Sequence, residues 1–172
     1  AGLSQGDEMI TSPITFVATS NAALYVGATP QFADIDSRTI NLDPKKAESC
    51  VTERTKAIVP VDFAGQPADM TAFREICDQH DIVFMSDAAH SLGATYQGKR
   101  VGSHADMTMF SFHPVKPITA AEGGVIVTNH AEYAEKLRLF RSHGVTRANL
   151  SKEEGPWYYE MVDLGYNYRM TD

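Results

Sequence analysis

The sequence has 172 residues, 43% of them hydrophobic, and 15 Lys+Arg against 22 Asp+Glu for a formal charge of -7. That length carries one domain with a proper core, its apolar fraction excludes a disordered or fibrous chain, and its acidic balance argues against nucleic acid as the main partner. Cys50 and Cys77 make no disulfide framework, no apolar run approaches a membrane span and residues 1–8 lack signal-peptide regions, so the expectation is a soluble cytoplasmic protein.

Short apolar, β-rich runs alternate with segments of helical period, the pattern of an α/β sheet with crossover helices. Residues 8–11 read as a first strand, stopped by Pro13, and residues 15–25 as a helix with Phe16, Ala23 and Leu24 apolar and Gly27 ending it. A second strand is expected over residues 30–35. Asp43 before Pro44 has the form of a cap with proline at the first helical position, starting a helix to about Val51. Residues 55–61 give a third strand, interrupted late by Pro60. Asp69 then caps a helix whose Met70, Phe73, Ile76 and Cys77 share one face. The continuous apolar run over residues 82–85 predicts a strand buried on both sides. Residues 94–101, with Gly98 inside, predict a small turn or hairpin. Strands follow over 107–112 and 125–128. Asn129 is expected to cap a helix with Tyr133, Leu137 and Phe140 facing inward. After Gly144 the regular signal fades into an exposed loop over 151–156.

In open α/β sheets function collects where strands end. Asp87, in Ser86-Asp87-Ala88-Ala89-His90, follows the most apolar strand. It reads either as a turn cap or as a counter-ion for something bound in the crevice, because a buried carboxylate costs stability unless donors or a cation meet it. Lys116 lies between Pro114 and Pro117 and is flanked by Val115 and Ile118. Such a rigid, apolar setting disfavours the ammonium form and suits a Schiff-base lysine. The alternative is a lysine that snorkels to solvent. Gly123-Gly124 permits a close backbone approach or a positive-φ turn. The six histidines show no zinc spacing, and His104 with Asp106 is too small a match to predict a metal. No P-loop or dinucleotide fingerprint is present.

Taken in order, Gly6-Asp7-Glu8-Met9-Ile10, Thr15-Phe16-Val17-Ala18-Thr19, Asp87-Ala88-Ala89-His90, Ser111-Phe112-His113-Pro114-Val115-Lys116, Glu122-Gly123-Gly124 and Gly165-Tyr166-Asn167-Tyr168-Arg169-Met170-Thr171-Asp172 resemble the DegT/DnrJ/EryC1/StrS sugar aminotransferases. The resemblance implies the large domain of a fold-type I, pyridoxal phosphate-dependent transferase: a mostly parallel sheet with flanking helices. It implies that Lys116 binds the cofactor aldehyde covalently and later shuttles a proton, and that Asp87 pairs with the pyridine nitrogen. His90 is implied near the ring hydroxyl, Ser111 at the phosphate, Phe16 in the segment that stacks on the ring, and Asn167 at the neighbour's phosphate across a homodimer. Lysine at position 116, where related sugar dehydratases carry histidine, implies transamination. The expected partners are a nucleotide-linked keto-sugar and an amino-acid donor, usually glutamate. The run His113-Pro114-Val115-Lys116-Pro117-Ile118-Thr119 most resembles enzymes acting at C4 of a UDP-linked 4-keto-6-deoxy-N-acetylhexosamine in amino-sugar and cell-surface polysaccharide biosynthesis, the pseudaminic acid pathway included.

The ends depart from the family pattern. The resemblance implies that residues 1–172 are a partial cofactor-binding domain, without the N-terminal phosphate-binding turn and the C-terminal small domain. The other expectation is a non-catalytic truncated domain that folds or oligomerises without turnover. Uncovered sheet faces would favour a homo-oligomer. His143 and Arg147 fit either a substrate-side role or a solvated loop.

Overall fold

Apolar residues alternate sides along the central strands, and that alternation builds a core on each face of one sheet. The structure, a computed structural model, describes residues 1–147, 155 and 157–170. Its contacts divide into two units, Ala1–Asn129 and His130–Asp172. In chain order the first unit holds β1 (Glu8–Thr11), α1 (Ala18–Tyr25), β2 (Thr29–Phe32), α2 (Pro44–Ser49), β3 (Thr55–Val59), α3 (Met70–His80), β4 (Val83–Asp87), the small hairpin β5 (Thr95–Tyr96) and β6 (Lys99–Arg100), β7 (Met107–Ser111) and β8 (Gly124–Val127). Six strands form one sheet in the order β2-β1-β3-β4-β7-β8. All neighbours are parallel except β7 and β8. The fold expected from the sequence, a mostly parallel sheet with flanking helices, is the one observed.

One face buries Ile10, Ile58 and Phe84 against Met70, Phe73, Ile76 and Cys77 of α3 and Ala47 of α2. The opposite face buries Met9, Ala57 and Val59 against Ala23 of α1, with Met85 and Met109 half-buried beside them. Both helices on the first face carry local start signals. Asp43 accepts hydrogen bonds from the Lys45 and Lys46 N–H groups ahead of Pro44, and Asp69 accepts from Ala72 N–H at 3.1 Å. The hairpin and the four helices fall where the sequence expects them.

Several boundaries differ, for local or tertiary reasons. The ladder of β2 ends at Phe32 because its partner β1 ends at Thr11, and β3 stops before Pro60, which has no N–H to donate. Helix α1 starts at Ala18, with no side-chain cap at Val17; Thr15 and Phe16 line a cavity instead of forming its first turn. Its buried residues are Thr19 and Ala23, whereas Phe16 and Leu24 are exposed. Strand β4 is not buried on both sides: Phe84 and Ser86 are buried, while Val83, Met85 and Asp87 are half-buried, because Met85 and Asp87 look onto that same cavity.

In the second unit, α4 (Ala131–Arg141) is capped by His130, not Asn129, and without a side-chain hydrogen bond. Tyr133, Leu137 and Phe140 lie half-buried, as their spacing predicts. Strands β9 (Val145–Thr146) and β10 (Glu160–Met161) pair antiparallel. The loop expected over residues 151–156 lies, apart from Gly155, outside the described residues. Among the described residues no helix is long and apolar enough to cross a membrane.

Candidate functional site

Parallel pairing sends the carboxyl ends of β1, β3, β4 and β7 to one edge of the sheet, and a cavity of about 700 Å³ opens there. Asp87, the last residue of β4, enters it half-buried. Its Oδ2 accepts a hydrogen bond from Thr19 Oγ1 at 2.6 Å. Its Oδ1 accepts from Ala89 N–H at 3.1 Å. The turn-cap reading of this residue is met by the bond from Ala89 N–H, and the carboxylate also faces the cavity.

Lys116 sits in the connection between β7 and β8. Backbone hydrogen bonds close this loop at its base, Phe112 N–H to Gly123 O at 2.8 Å and Ala120 N–H to Phe112 O at 3.0 Å. Within it, Lys116 N–H donates to His113 O at 2.9 Å. Val115 and Ile118 on either side are exposed, but the lysine is half-buried and lines the cavity. Its Nζ lies 2.8 Å from His90 Nε2. Ser111 ends β7 opposite Gly124 and lines the same cavity; its Oγ accepts from His113 N–H at 3.3 Å. A Cβ at Gly124 would stand 2.9 Å from Phe110 O, so the close approach that holds this hairpin requires glycine there.

The structure thus brings Lys116, Asp87, His90, Ser111 and Phe16 to one cavity, with Phe16 exposed at 76%. Asn167, His143 and Arg147 belong to the second unit, where Asn167 bridges Ser142 and His143 N–H donates to Tyr166 O at 2.8 Å. The carboxylate of Asp106 takes Arg74 at 2.8 Å and Phe84 N–H at 2.8 Å, and the ring of His104 meets Tyr96 edge-on.

Two groups near the site escape sequence reasoning. The one signal that could have found Thr19 is its place one turn before Ala23 on α1, where a hydroxyl facing inward needs a partner. Asp62, following β3, has no solvent exposure. Burial pushes its carboxyl up to about 6, the Ser91 and Ala68 hydrogen bonds oppose that, and the charge of Asp87 adds to it. No local signal announced it.

The walls of the cavity are apolar, from Val59, Val61, Met85, Ala89 and Met109, and its polar groups are the Lys116 amine, the carboxylates of Asp87 and Glu122, the imidazoles of His90 and His113, and the hydroxyls of Thr15, Thr19 and Ser111. This donor set fits a flat, phosphate-bearing aromatic aldehyde: an amine for the carbonyl carbon, a carboxylate for a ring N–H and a hydroxyl for the phosphate.

Comparison with known proteins agrees with that chemistry. The DegT/DnrJ/EryC1/StrS aminotransferase family matches residues 1–172. The UDP-4-amino-4,6-dideoxy-N-acetyl-beta-L-altrosamine transaminase of Helicobacter pylori is 45% identical over 96% of this chain and 42% of its own length. The GDP-perosamine synthase of Caulobacter vibrioides is 43% identical over 99% of this chain and 44% of its own. Among solved structures, Helicobacter pylori PseC, an aminotransferase involved in the biosynthesis of pseudoaminic acid, has a TM-score of 0.89 at 43% identity, covering 99% of this chain and 44% of that one. The chain spans less than half the length of these relatives.

Proposed function

The chain belongs to the DegT/DnrJ/EryC1/StrS aminotransferase family, whose enzymes use pyridoxal phosphate, and on that premise we propose that the whole protein transfers an amino group from an amino acid, glutamate by preference, to a nucleotide-linked keto-sugar, a UDP-linked 4-keto-6-deoxy-N-acetylhexosamine. The observation that carries the reading is the Lys116 amine, 2.8 Å from His90 and in one cavity with Asp87.

Bound pyridoxal phosphate supplies the electron sink for the carbanion formed at the donor's α-carbon. The protein's own residues do the rest. Lys116 Nζ would hold the cofactor at its aldehyde carbon and, once released, would carry the proton it takes from the donor's α-carbon to that former aldehyde carbon, C4′. His90 Nε2 orients that amine. Asp87, kept in place by Thr19 and Ala89 N–H, keeps the proton on the ring nitrogen by pairing with it. Ser111 Oγ would bind the phosphate and Phe16 would cover the ring, while the apolar walls exclude water. Asn167 serves the neighbouring subunit's phosphate in a homodimer.

The test uses the full-length protein with pyridoxal phosphate, glutamate and UDP- or dTDP-linked keto-sugars. The expected result is a visible absorbance band lost in Lys116→Ala, and amination of the UDP-linked 4-keto sugar. Amination of a dTDP-linked 3- or 4-keto sugar, with no turnover of any UDP-linked one, would sink the substrate assignment. A band that persists in Lys116→Ala would remove Lys116 as the anchor.

A further inference from the structure

Asp62 is a fully buried carboxylate that the chemistry above leaves idle. Its backbone N–H donates to Asp87 O at 3.0 Å, and Asp87 N–H donates to Pro60 O at 3.0 Å. The two aspartates therefore sit side by side where β3 and β4 end. The Asp62 side chain reaches the other way. Its Oδ2 accepts from Ser91 Oγ at 2.5 Å, and its Oδ1 from Ala68 N–H at 3.0 Å.

Ser91 is itself 2% exposed and closes the turn after Asp87 through its N–H to Ala88 O at 3.0 Å. Asp62 thus grips the segment 87–91 at both ends, by backbone at Asp87 and by side chain at Ser91. His90 lies between those two grips, and its Nε2 meets Lys116 Nζ. The same stretch of chain crowds His90 from behind: a Cβ on Gly65, whose φ is +88°, would stand 3.0 Å from His90 O. An exposed imidazole on a turn takes its direction from its backbone, and among the bonds that hold this backbone the Asp62–Ser91 side-chain bond is the buried, charge-assisted one.

We propose that the buried Asp62–Ser91 hydrogen bond positions His90 against the Lys116 amine, making Asp62 and Ser91 positioning residues for that amine. The role of the amine rests on the function proposed above, but the positioning is a property of the chain's own residues and can be read without cofactor.

The first measurement is the ¹⁵N resonance of His90 Nε2 in the cofactor-free, full-length protein. Ser91→Ala is expected to move it while leaving His80, at the far end of α3, unchanged. Ser91→Thr, which keeps the hydroxyl, should restore it, and Asp62→Asn, which keeps a weaker neutral bond, should move it less than Ser91→Ala does. The second measurement is on the holoenzyme. In Ser91→Ala the pH midpoint of the cofactor's visible band should shift and the half-reaction with glutamate should slow about tenfold at nearly constant KM, within the ~100-fold that a 1 Å misplacement can cost. A His90 resonance unmoved in both Ser91→Ala and Asp62→Asn, with wild-type circular dichroism, overturns the proposal. So does a Ser91→Thr variant that is folded and as displaced as Ser91→Ala. If the wild type transfers no amino group while Ser91→Ala still moves His90, the function falls and the positioning stands.

Discussion

A carboxyl with no exposed surface takes its character from whatever it meets inside. Glu8 is 2% exposed, yet its carboxyl is held below the ordinary range by the Thr52 hydrogen bond and, against burial, by Arg54 and Gln31. Asp62 is equally buried, but burial prevails and its carboxyl rises from 3.8 to about 6. A raised carboxyl binds more protons in the folded chain than in the unfolded one, so its contribution to stability is lost as pH climbs from about 4 to about 6 and stays lost above. A shift of about 2 units corresponds to roughly 3 kcal/mol. Asp62→Asn keeps the shape and removes the titration. Its stability relative to wild type, from urea midpoints, is expected to rise by up to about that amount between pH 4 and pH 7; a flat difference would refute it. Neither pairing is readable locally, since Thr52 lies 44 residues from Glu8 and Ser91 lies 29 from Asp62.

Helices α1 and α3 show which elements carry their own instructions. In α3 the cap at Asp69 and the buried face of Met70, Phe73, Ile76 and Cys77 are both local patterns, and both hold. Phe73 has no exposed surface, and its ring centroid lies 6.1 Å from that of Phe84. Phe73→Ala should cost about 3–5 kcal/mol in chemical unfolding through the cavity it leaves. Tyr25→Ala, at 82% exposure on α1, should stay within about 0.5 kcal/mol. Equal losses at the two sites would contradict the observed packing. Helix α1 starts three residues later than its sequence suggests, and its inner side is small: within the helix Thr19 and Ala23 alone are buried. Bulk apolar residues normally mark the inward face, and here Phe16 and Leu24 point the wrong way. In the β7–β8 connection the two prolines around Lys116 announced a rigid loop, but its contact with His90 comes from another strand's end.

At the scale of the molecule, the charge of -7 and the family assignment describe a chain that spans less than half the length of its relatives. The first unit exposes Phe16, Leu24, Tyr25 and Phe32, and the second exposes Tyr159, Met161 and Tyr168. Apolar surface on this scale favours association. The full-length protein is expected to be a homodimer or larger in light scattering at working concentration, and a monodisperse monomer would count against it.

By itself the sequence determined what depends on near neighbours: the strand and helix order, the caps at Asp43 and Asp69, the hairpin at Gly98, and the ordered motifs that identify an aminotransferase. The family resemblance implied that Phe16, Asp87, His90, Ser111 and Lys116 surround one cofactor; only the tertiary structure decided that Thr19 holds Asp87, that His90 Nε2 meets Lys116 Nζ, and that Asp62 is sealed beneath Ser91. The reason is parallel pairing. It carries the ends of strands far apart in the chain to a single edge, and no local pattern records which side chains meet there.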